Sequence, residues 1–140
     1  MAGLYLHIPF CEQKCHYCDF FSAPPVGNQL DTWHLLLQRN LQLIALEHTP
    51  EIGTIFFGGG TPSLLSPTQI DSILECCREL FPISRNAEIS LEANPHTLTA
   101  SSIEGYLTAG VNRLSLGIQS FDNQALQLLG RKHSAQAAKQ

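Results

Sequence analysis

Basic side chains are scarce in this sequence. Lys and Arg number eight among 140 residues, against twelve Asp and Glu, so the formal net charge is −4. Without a basic stripe, binding to a nucleic acid is not expected. Long apolar runs are also missing: no stretch reaches the about eighteen apolar residues of a membrane helix, and no signal-peptide pattern opens the chain. We therefore predict a cytoplasmic protein that has no membrane segment.

Low-complexity segments and repeats of 20–50 residues are absent too, and what remains is an alternation of short strands and helices. A hydrophobic content of 44% is that of a globular protein. Strands are predicted at residues 3–9, 54–57, 88–92 and 113–118, and helices at 32–47, from 66 onward, at 99–110, at 122–130 and at 133–140. Four successive βα units predict an α/β fold with parallel strands and helical crossovers.

The first predicted helix has an apolar stripe at helical spacing. Asp31 is its expected N-cap. Five residues are expected to face the core, namely Leu30, Trp33, Leu37, Leu41 and Ile44.

Three cysteines stand close together directly after the first strand. Cys11, Cys15 and Cys18 are separated by three and two residues, a spacing too short for one regular element and suited to a loop around a compact metal core. Thiolates select zinc, copper(I) or an iron–sulfur cluster. Three cysteines cannot all pair with one another, and nothing else indicates secretion, so a disulfide loop is disfavoured.

The fourth ligand distinguishes the candidate metals. A structural zinc ion needs four ligands. His16 lies inside the loop and would be strained as the fourth. Cys76 and Cys77 follow about sixty residues later on a predicted helix, where we expect them to be structural thiols. Iron–sulfur clusters usually also take four cysteines. A four-iron cluster held by three thiolates leaves one iron open to a small molecule.

Unusual polar residues and glycines follow the other predicted strands. Gly58-Gly59-Gly60 comes after the second, Glu92 and Asn94 after the third, and Gln119 after the fourth. In parallel α/β folds ligands bind beyond the C-terminal strand ends, so a site is predicted there. Taken alone, the glycines fit an ordinary tight turn equally well, and Glu92 could form a salt bridge with Arg113 or Arg131.

The CxxxCxxC pattern resembles the signature of radical S-adenosylmethionine (SAM) enzymes, and further motifs resemble the oxygen-independent coproporphyrinogen III oxidase group within them. The motifs are YLHIPFC at 5–11, CHYCDF at 15–20, GGGTPS at 58–63, EANP at 92–95, GVNRLSLGIQSF at 110–121 and LGRKH at 129–133. The resemblance implies a partial (β/α)6 barrel. It also implies a 4Fe–4S cluster on Cys11, Cys15 and Cys18, and SAM contacts from Tyr5, Gly59, Gly60, Thr61, Glu92, Gln119 and Arg131.

Two departures separate branches of that group. The oxidase, which decarboxylates two propionates of coproporphyrinogen III, carries a further cysteine two residues after the third cluster ligand and a longer segment before the first strand. Here that position is Phe20, and ten residues precede Cys11. Both features resemble the HemW branch of haem chaperones. The oxidase and a purely structural iron–sulfur module are the alternatives.

The HemW resemblance implies haem as cargo, haem-requiring client proteins, some of them membrane-associated, and an electron donor such as a flavodoxin or ferredoxin. Members of the family have a longer chain with a C-terminal domain after the barrel. With four βα units, residues 1–140 are therefore expected to be an N-terminal part of the radical SAM core domain, incomplete at its C-terminal end.

Overall fold

A parallel four-stranded sheet with helical crossovers forms the framework of the protein. The computed structural model describes residues 1–139. Its strands are β1 (Ala2–Ile8), β2 (Ile52–Gly59), β3 (Ile83–Ala93) and β4 (Arg113–Leu116), and its helices are α1 (Gln29–Glu47), α2 (Pro67–Leu80), α3 (Ala100–Ala109) and α4 (Asn123–Leu128). The strand order is β1-β2-β3-β4, and every pair is parallel. The predicted α/β architecture is confirmed.

The two faces of the sheet differ in burial. Along β1, Leu6 and Ile8 are buried while Tyr5 is exposed, because successive strand residues point to opposite faces. Apolar side chains from the buried face of the sheet and from the helices form one core, which includes Phe57 and Leu91. On the other face, the ring of Tyr5 stacks on that of Phe56. No helix within residues 1–139 is long and apolar enough to cross a bilayer.

Local sequence signals account for the ends of α2 and α3. The hydroxyls of Ser66 and Thr99 accept hydrogen bonds from the backbone N–H three residues on, and both helices have a complete capping box. Gly110 ends α3 with a φ of +113°, a left-handed conformation that glycine adopts without strain. The predicted starts at Ser66 and Thr99 and the end at Gly110 are confirmed.

The prediction for α1 was partly wrong. The helix begins at Gln29 after Asn28, so Asp31 lies in the first turn rather than at the N-cap, and its carboxylate accepts a hydrogen bond from the Gln69 side chain. Leu41 is buried as predicted, but Ile44 is 50% exposed. Ala45, four residues after Leu41, packs against the core instead, so the predicted stripe took the wrong residue in the last turn of the helix.

Strand and helix bounds differ elsewhere as well. β3 starts five residues earlier than predicted, because its pairing with β2 extends back to Ile83, which lies beside Ile52. β4 ends at Leu116, where the chain leaves the sheet. The predicted helix at 133–140 is instead a single 3-10 turn at Ala137–Lys139, and Gln140 lies outside the described residues.

Candidate functional site

A cavity of about 300 Å³ opens at the C-terminal ends of the strands. The chain positions that end each strand converge on it, as expected for a parallel sheet. Of the ten predicted site residues, nine line this cavity: Cys11, Cys15, Cys18, Gly59, Gly60, Thr61, Glu92, Gln119 and Arg131. Their roles as ligands stay predictions, but the fold brings them to one place.

The cysteine loop is anchored at its base. Phe10 pairs with Ala23 in a parallel bridge, and the Cys11 N–H donates to the Ala23 carbonyl at 3.1 Å. Cys11 is buried, whereas Cys15 and Cys18 are half-buried, and all three are free thiols. The loop therefore holds three soft donors at one wall of the cavity.

His16 does not join the three cysteine thiols in a common set of metal ligands. Within residues 1–139, no three Cys, His, Asp or Glu side chains converge as a mononuclear metal site. His16, the candidate fourth zinc ligand, points to the C-terminal end of α4, where its Nδ1 lies 3.2 Å from the Leu128 carbonyl oxygen. Three thiols at one wall of a cavity are a donor set that an iron–sulfur cluster can use, because each of its irons takes its own ligand.

The glycines after β2 allow close backbone approach. A side chain at Gly60 would collide with the Phe10 carbonyl and come within 3.0 Å of the Cys11 sulfur. Gly59 has a φ of +106°, a backbone conformation that residues with a side chain rarely adopt. The Gly60 and Thr61 N–H groups donate to the Ile8 and Phe10 carbonyls, both at 2.7 Å. This turn therefore fixes the base of the cysteine loop against β2.

Glu92 is a half-buried carboxylate at the end of β3. Burial raises its pKa, and a hydrogen bond from the Gly59 backbone opposes that shift. The salt-bridge alternatives are not formed: Arg113 pairs with Glu88 at 2.9 Å, and Arg131 donates to other partners. Glu92 thus keeps an acceptor facing the cavity, where a cationic or hydroxyl-bearing ligand would relieve its desolvation.

Arg131 and Gln119 line the cavity from the segments that follow β4. Arg131 Nη1 donates to the Cys15 sulfur at 3.3 Å, and Nη2 donates to the Asn94 side chain and the Gly117 carbonyl. Gln119 is exposed with a φ of +69°, uncommon for a residue with a side chain. His133 Nε2 lies 3.0 Å from the carbonyl oxygen of neighbouring Ile118.

Tyr5 is the one predicted contact that does not line the cavity. Its ring stacks on Phe56, and its hydroxyl lies 3.1 Å from His7 Nδ1, while His7 Nε2 lies 3.1 Å from the Phe21 carbonyl oxygen. Burial, with a smaller contribution from the nearby Glu92 carboxylate, raises the pKa of Tyr5. Tyr5 therefore sits beside the cavity on the exposed face of the sheet.

Sequence reasoning missed a polar cluster that closes one side of the cysteine loop. Glu12 forms an ion pair with Lys132 at 2.8 Å, and its carboxylate lies 3.4 Å from His96 Nε2. The hydrogen bond from Lys132 lowers the pKa of Glu12, and desolvation lowers the pKa of His96. No local pattern in the sequence could have indicated these contacts, because the partners are separated by more than eighty residues.

The motifs and the geometry agree with a comparison to protein families. A sequence model of the radical SAM superfamily matches residues 5–140. The chain belongs to this superfamily. Membership implies a 4Fe–4S cluster and SAM, and the three free thiols of the cavity provide the donor set that such a cluster needs.

Radical SAM relatives with sequence similarity along nearly the whole chain come from bacteria and animals. The heme chaperone HemW of Escherichia coli is 45% identical over 139 residues, which cover 98% of this chain and 37% of that protein. Radical S-adenosyl methionine domain-containing protein 1, mitochondrial, of Bos taurus is 41% identical over 140 residues, covering 99% and 32%. The chain thus spans about a third of the length of these curated relatives.

A solved radical SAM structure has the same fold. Coproporphyrinogen III oxidase (HemN) from Escherichia coli superposes with a TM-score of 0.89 at 28% identity, covering 97% of this chain and 32% of that one. The four βα units therefore correspond to part of the barrel of that enzyme, and the predicted resemblance to this group is confirmed. In residues 1–139 the sheet stays open.

Proposed function

We propose that the protein is a HemW-type haem chaperone and that residues 1–140 belong to its cluster- and SAM-binding core domain. The observation that carries this proposal is the convergence of three free cysteines, Glu92 and Arg131 on one cavity at the strand ends. The 45% identity to a protein named heme chaperone HemW supports the choice of branch. Haem as cargo, its clients and an electron donor of the flavodoxin or ferredoxin kind belong to this proposal, as does a cytoplasmic location.

The site residues divide into two groups by chemistry. Cys11, Cys15 and Cys18 would hold the cluster, since thiolates are its protein ligands. Glu92 and Gln119 offer oxygen and amide groups for the hydroxyl and cationic groups of SAM. The backbone of the turn at Gly59 and Gly60 would contact the methionine portion of SAM. When bound and reduced, the cluster supplies the single electron that cleaves the sulfonium of SAM.

Phe20 favours the chaperone over the oxidase. It lines the cavity and is 60% exposed, at the position where the oxidase branch carries an additional cysteine. An apolar ring there offers no thiol. The oxidase remains the second candidate, because HemN shares the fold with a TM-score of 0.89.

Anaerobic reconstitution with iron and sulfide tests the proposal. We expect about four irons per chain, an EPR signal after reduction that changes when SAM is added, and stoichiometric binding in a haem titration. A parallel assay with coproporphyrinogen III should show no decarboxylation. Phe20→Cys, which introduces the cysteine that the oxidase branch carries at this position, is the matched variant for that assay.

Each outcome separates a different alternative. Decarboxylation of coproporphyrinogen by the unaltered protein would make it an oxidase. A cluster whose EPR signal ignores SAM would make it a structural iron–sulfur module. Zinc in place of iron would contradict the cluster itself.

A further inference from the structure

Two of the three cluster cysteines are joined by a continuous chain of hydrogen bonds. At one end Arg131 Nη1 donates to the Cys15 sulfur at 3.3 Å, and Nη2 donates to Asn94 Oδ1. Asn94 Nδ2 donates to Thr61 Oγ1 at 3.1 Å, and the Thr61 hydroxyl donates to the Cys11 sulfur at 3.4 Å. We call Arg131, Asn94 and Thr61 the relay.

The direction of the relay is set by the chemistry of its members. A guanidinium can only donate, so Arg131 turns the Asn94 amide with its oxygen toward Arg131 and its NH₂ toward Thr61. A hydroxyl has one proton, and Asn94 already donates to its oxygen. The Thr61 proton is thereby left for Cys11, so both ends of the relay present donors to sulfur.

The relay members are held in place by independent contacts. Thr61 is 3% exposed, and its N–H donates to the Phe10 carbonyl at 2.7 Å. The Asn94 N–H donates to the Ser63 hydroxyl at 3.3 Å. Arg131 also donates to the Gly117 carbonyl, which ties it to the end of β4. The relay therefore spans the ends of three neighbouring strands and fixes the separation of the two sulfurs.

Such donors act on a cluster in two ways. Groups that orient metal ligands typically change metal affinity 10–100-fold when they are removed. Hydrogen bonds to the sulfurs, together with nearby charge, also set the reduction potential of an iron–sulfur cluster. Each donor stabilises the more electron-rich reduced state, so its loss makes the potential more negative.

We propose that Arg131, Asn94 and Thr61 are positioning residues that hold Cys15 and Cys11 for the cluster and raise its reduction potential. This rests on the cluster-binding part of the proposed function and does not depend on haem. It gives Arg131 a role that precedes any contact with SAM.

The test measures the reconstituted protein without SAM. Thr61→Val, Asn94→Leu and Arg131→Met each remove one member with a side chain of similar size. Two variants are controls. Thr108→Val on α3 removes a threonine hydroxyl away from the cavity. Lys132→Met removes the positive charge next to Arg131 in the sequence, from a side chain that makes no hydrogen bond to Cys15. The readouts are the midpoint potential of the cluster and the rate of iron release to a chelator.

The three relay variants should have a more negative midpoint potential than the wild type and release iron roughly 10–100-fold faster. Thr108→Val should match the wild type in both measurements. Lys132→Met should change the potential and the release rate much less than Arg131→Met does. Thr61 and Arg131 do not touch, yet the double variant Thr61→Val/Arg131→Met should change less than the sum of the single changes, because Asn94 couples them.

Unchanged potentials and release rates in Thr61→Val and Asn94→Leu would overturn the relay, as would strict additivity in the double variant. An unchanged potential and iron-release rate in Arg131→Met would overturn the relay too and leave that residue to SAM alone. Thr61→Val keeps shape and burial, so it decides the question if Arg131→Met does not fold. A wild-type protein that takes up no cluster would instead reject the proposed function.

Discussion

The five cysteines have very different surroundings. Cys77 on α2 has no exposed surface, and burial raises the pKa of its thiol to about 12. Desolvation likewise raises the pKa of its neighbour Cys76. Because the thiolate is the form that binds metal, these helix thiols are disfavoured as ligands. Cys15 and Cys18 instead line the cavity beside Arg131.

Replacing any of Cys11, Cys15 and Cys18 by Ala should reduce the iron bound after reconstitution to a small fraction of the wild-type amount, because two thiolates cannot hold the cluster. Cys76→Ala is the matched control and should retain the full amount. Iron and sulfide analysis of the purified proteins measures both. Full loading of a Cys15→Ala variant would remove this cysteine from the ligand set.

Glu92→Gln should have opposite effects on stability and on SAM binding. Burial raises the pKa of Glu92 in the folded state, so folding favours the protonated form, and stability falls as pH rises from the ordinary carboxyl pKa through the raised one. The neutral amide avoids this loss. We expect a higher Tm at pH 7 for the SAM-free variant, a gain that disappears below about pH 4, and weaker SAM binding.

Calorimetric melts from pH 4 to pH 8 and a SAM titration measure these two effects. Glu88→Gln is the control: hydrogen bonds from Ser90 and Arg113 lower the pKa of Glu88, so its variant should lose stability at neutral pH rather than gain it. A lower Tm for Glu92→Gln at pH 7 would show that the carboxylate is stabilised in the folded protein.

At the scale of elements, the helix ends position the loops that form the site. α2 starts directly after the turn that follows the glycines. The Tyr106 hydroxyl of α3 donates to the carbonyl of Leu65, a residue between the glycines and α2, at 2.7 Å. The buried ring of Tyr106 thus connects α3 to the segment between β2 and α2. Changes in the caps of these helices are expected to act on stability.

Ser66→Ala should lower the free energy of unfolding by about 1 kcal/mol, the usual cost of losing a serine N-cap. The variant loses the bond from the Gln69 N–H to the Ser66 hydroxyl, which is 3.2 Å long. Ser101→Ala, at an exposed position in the first turn of α3, removes a hydroxyl without removing a cap and should be nearly neutral. Urea unfolding of the two variants compares them, and equal stabilities would contradict the role of the cap.

At the scale of the whole molecule, the sheet is covered on one face and open at β4. In the part of the chain that is described, β4 pairs with β3 only, and Leu116 on it is 47% exposed. An open strand with an apolar side chain is a template for association with another chain. Phe21 and Phe121 add exposed apolar surface.

The 140-residue chain by itself should therefore self-associate at micromolar concentration. Light scattering coupled to size-exclusion chromatography measures this, and Leu116→Lys should shift the distribution toward monomer because a charge on an edge strand opposes pairing. Leu107→Lys, on an exposed position of α3, is the control and should leave the distribution unchanged. A monodisperse monomer that melts cooperatively would contradict the prediction.

The site was more predictable than the element bounds. The residues expected at the strand ends lie around one cavity, since parallel strands place their C-terminal ends on the same edge. The N-cap of α1 and the buried position of Ile44 were wrong. Spacings of three and four residues both fit a helix, so periodicity did not decide between Ile44 and Ala45 as the core contact after Leu41. Within residues 133–139, the expected start of another helix was wrong too, because a 3-10 turn at Ala137–Lys139 forms there.

The sequence by itself determined the order of strands and helices, the parallel sheet and the cysteine loop, because turn residues, caps and apolar spacing are local properties. Only the tertiary structure decided which side chains meet at the C-terminal ends of the strands. Glu12 with Lys132, His16 with Leu128 and Arg131 with Cys15 are all more than one hundred residues apart. Such contacts depend on the packing of whole βα units, and no spacing along the chain encodes them.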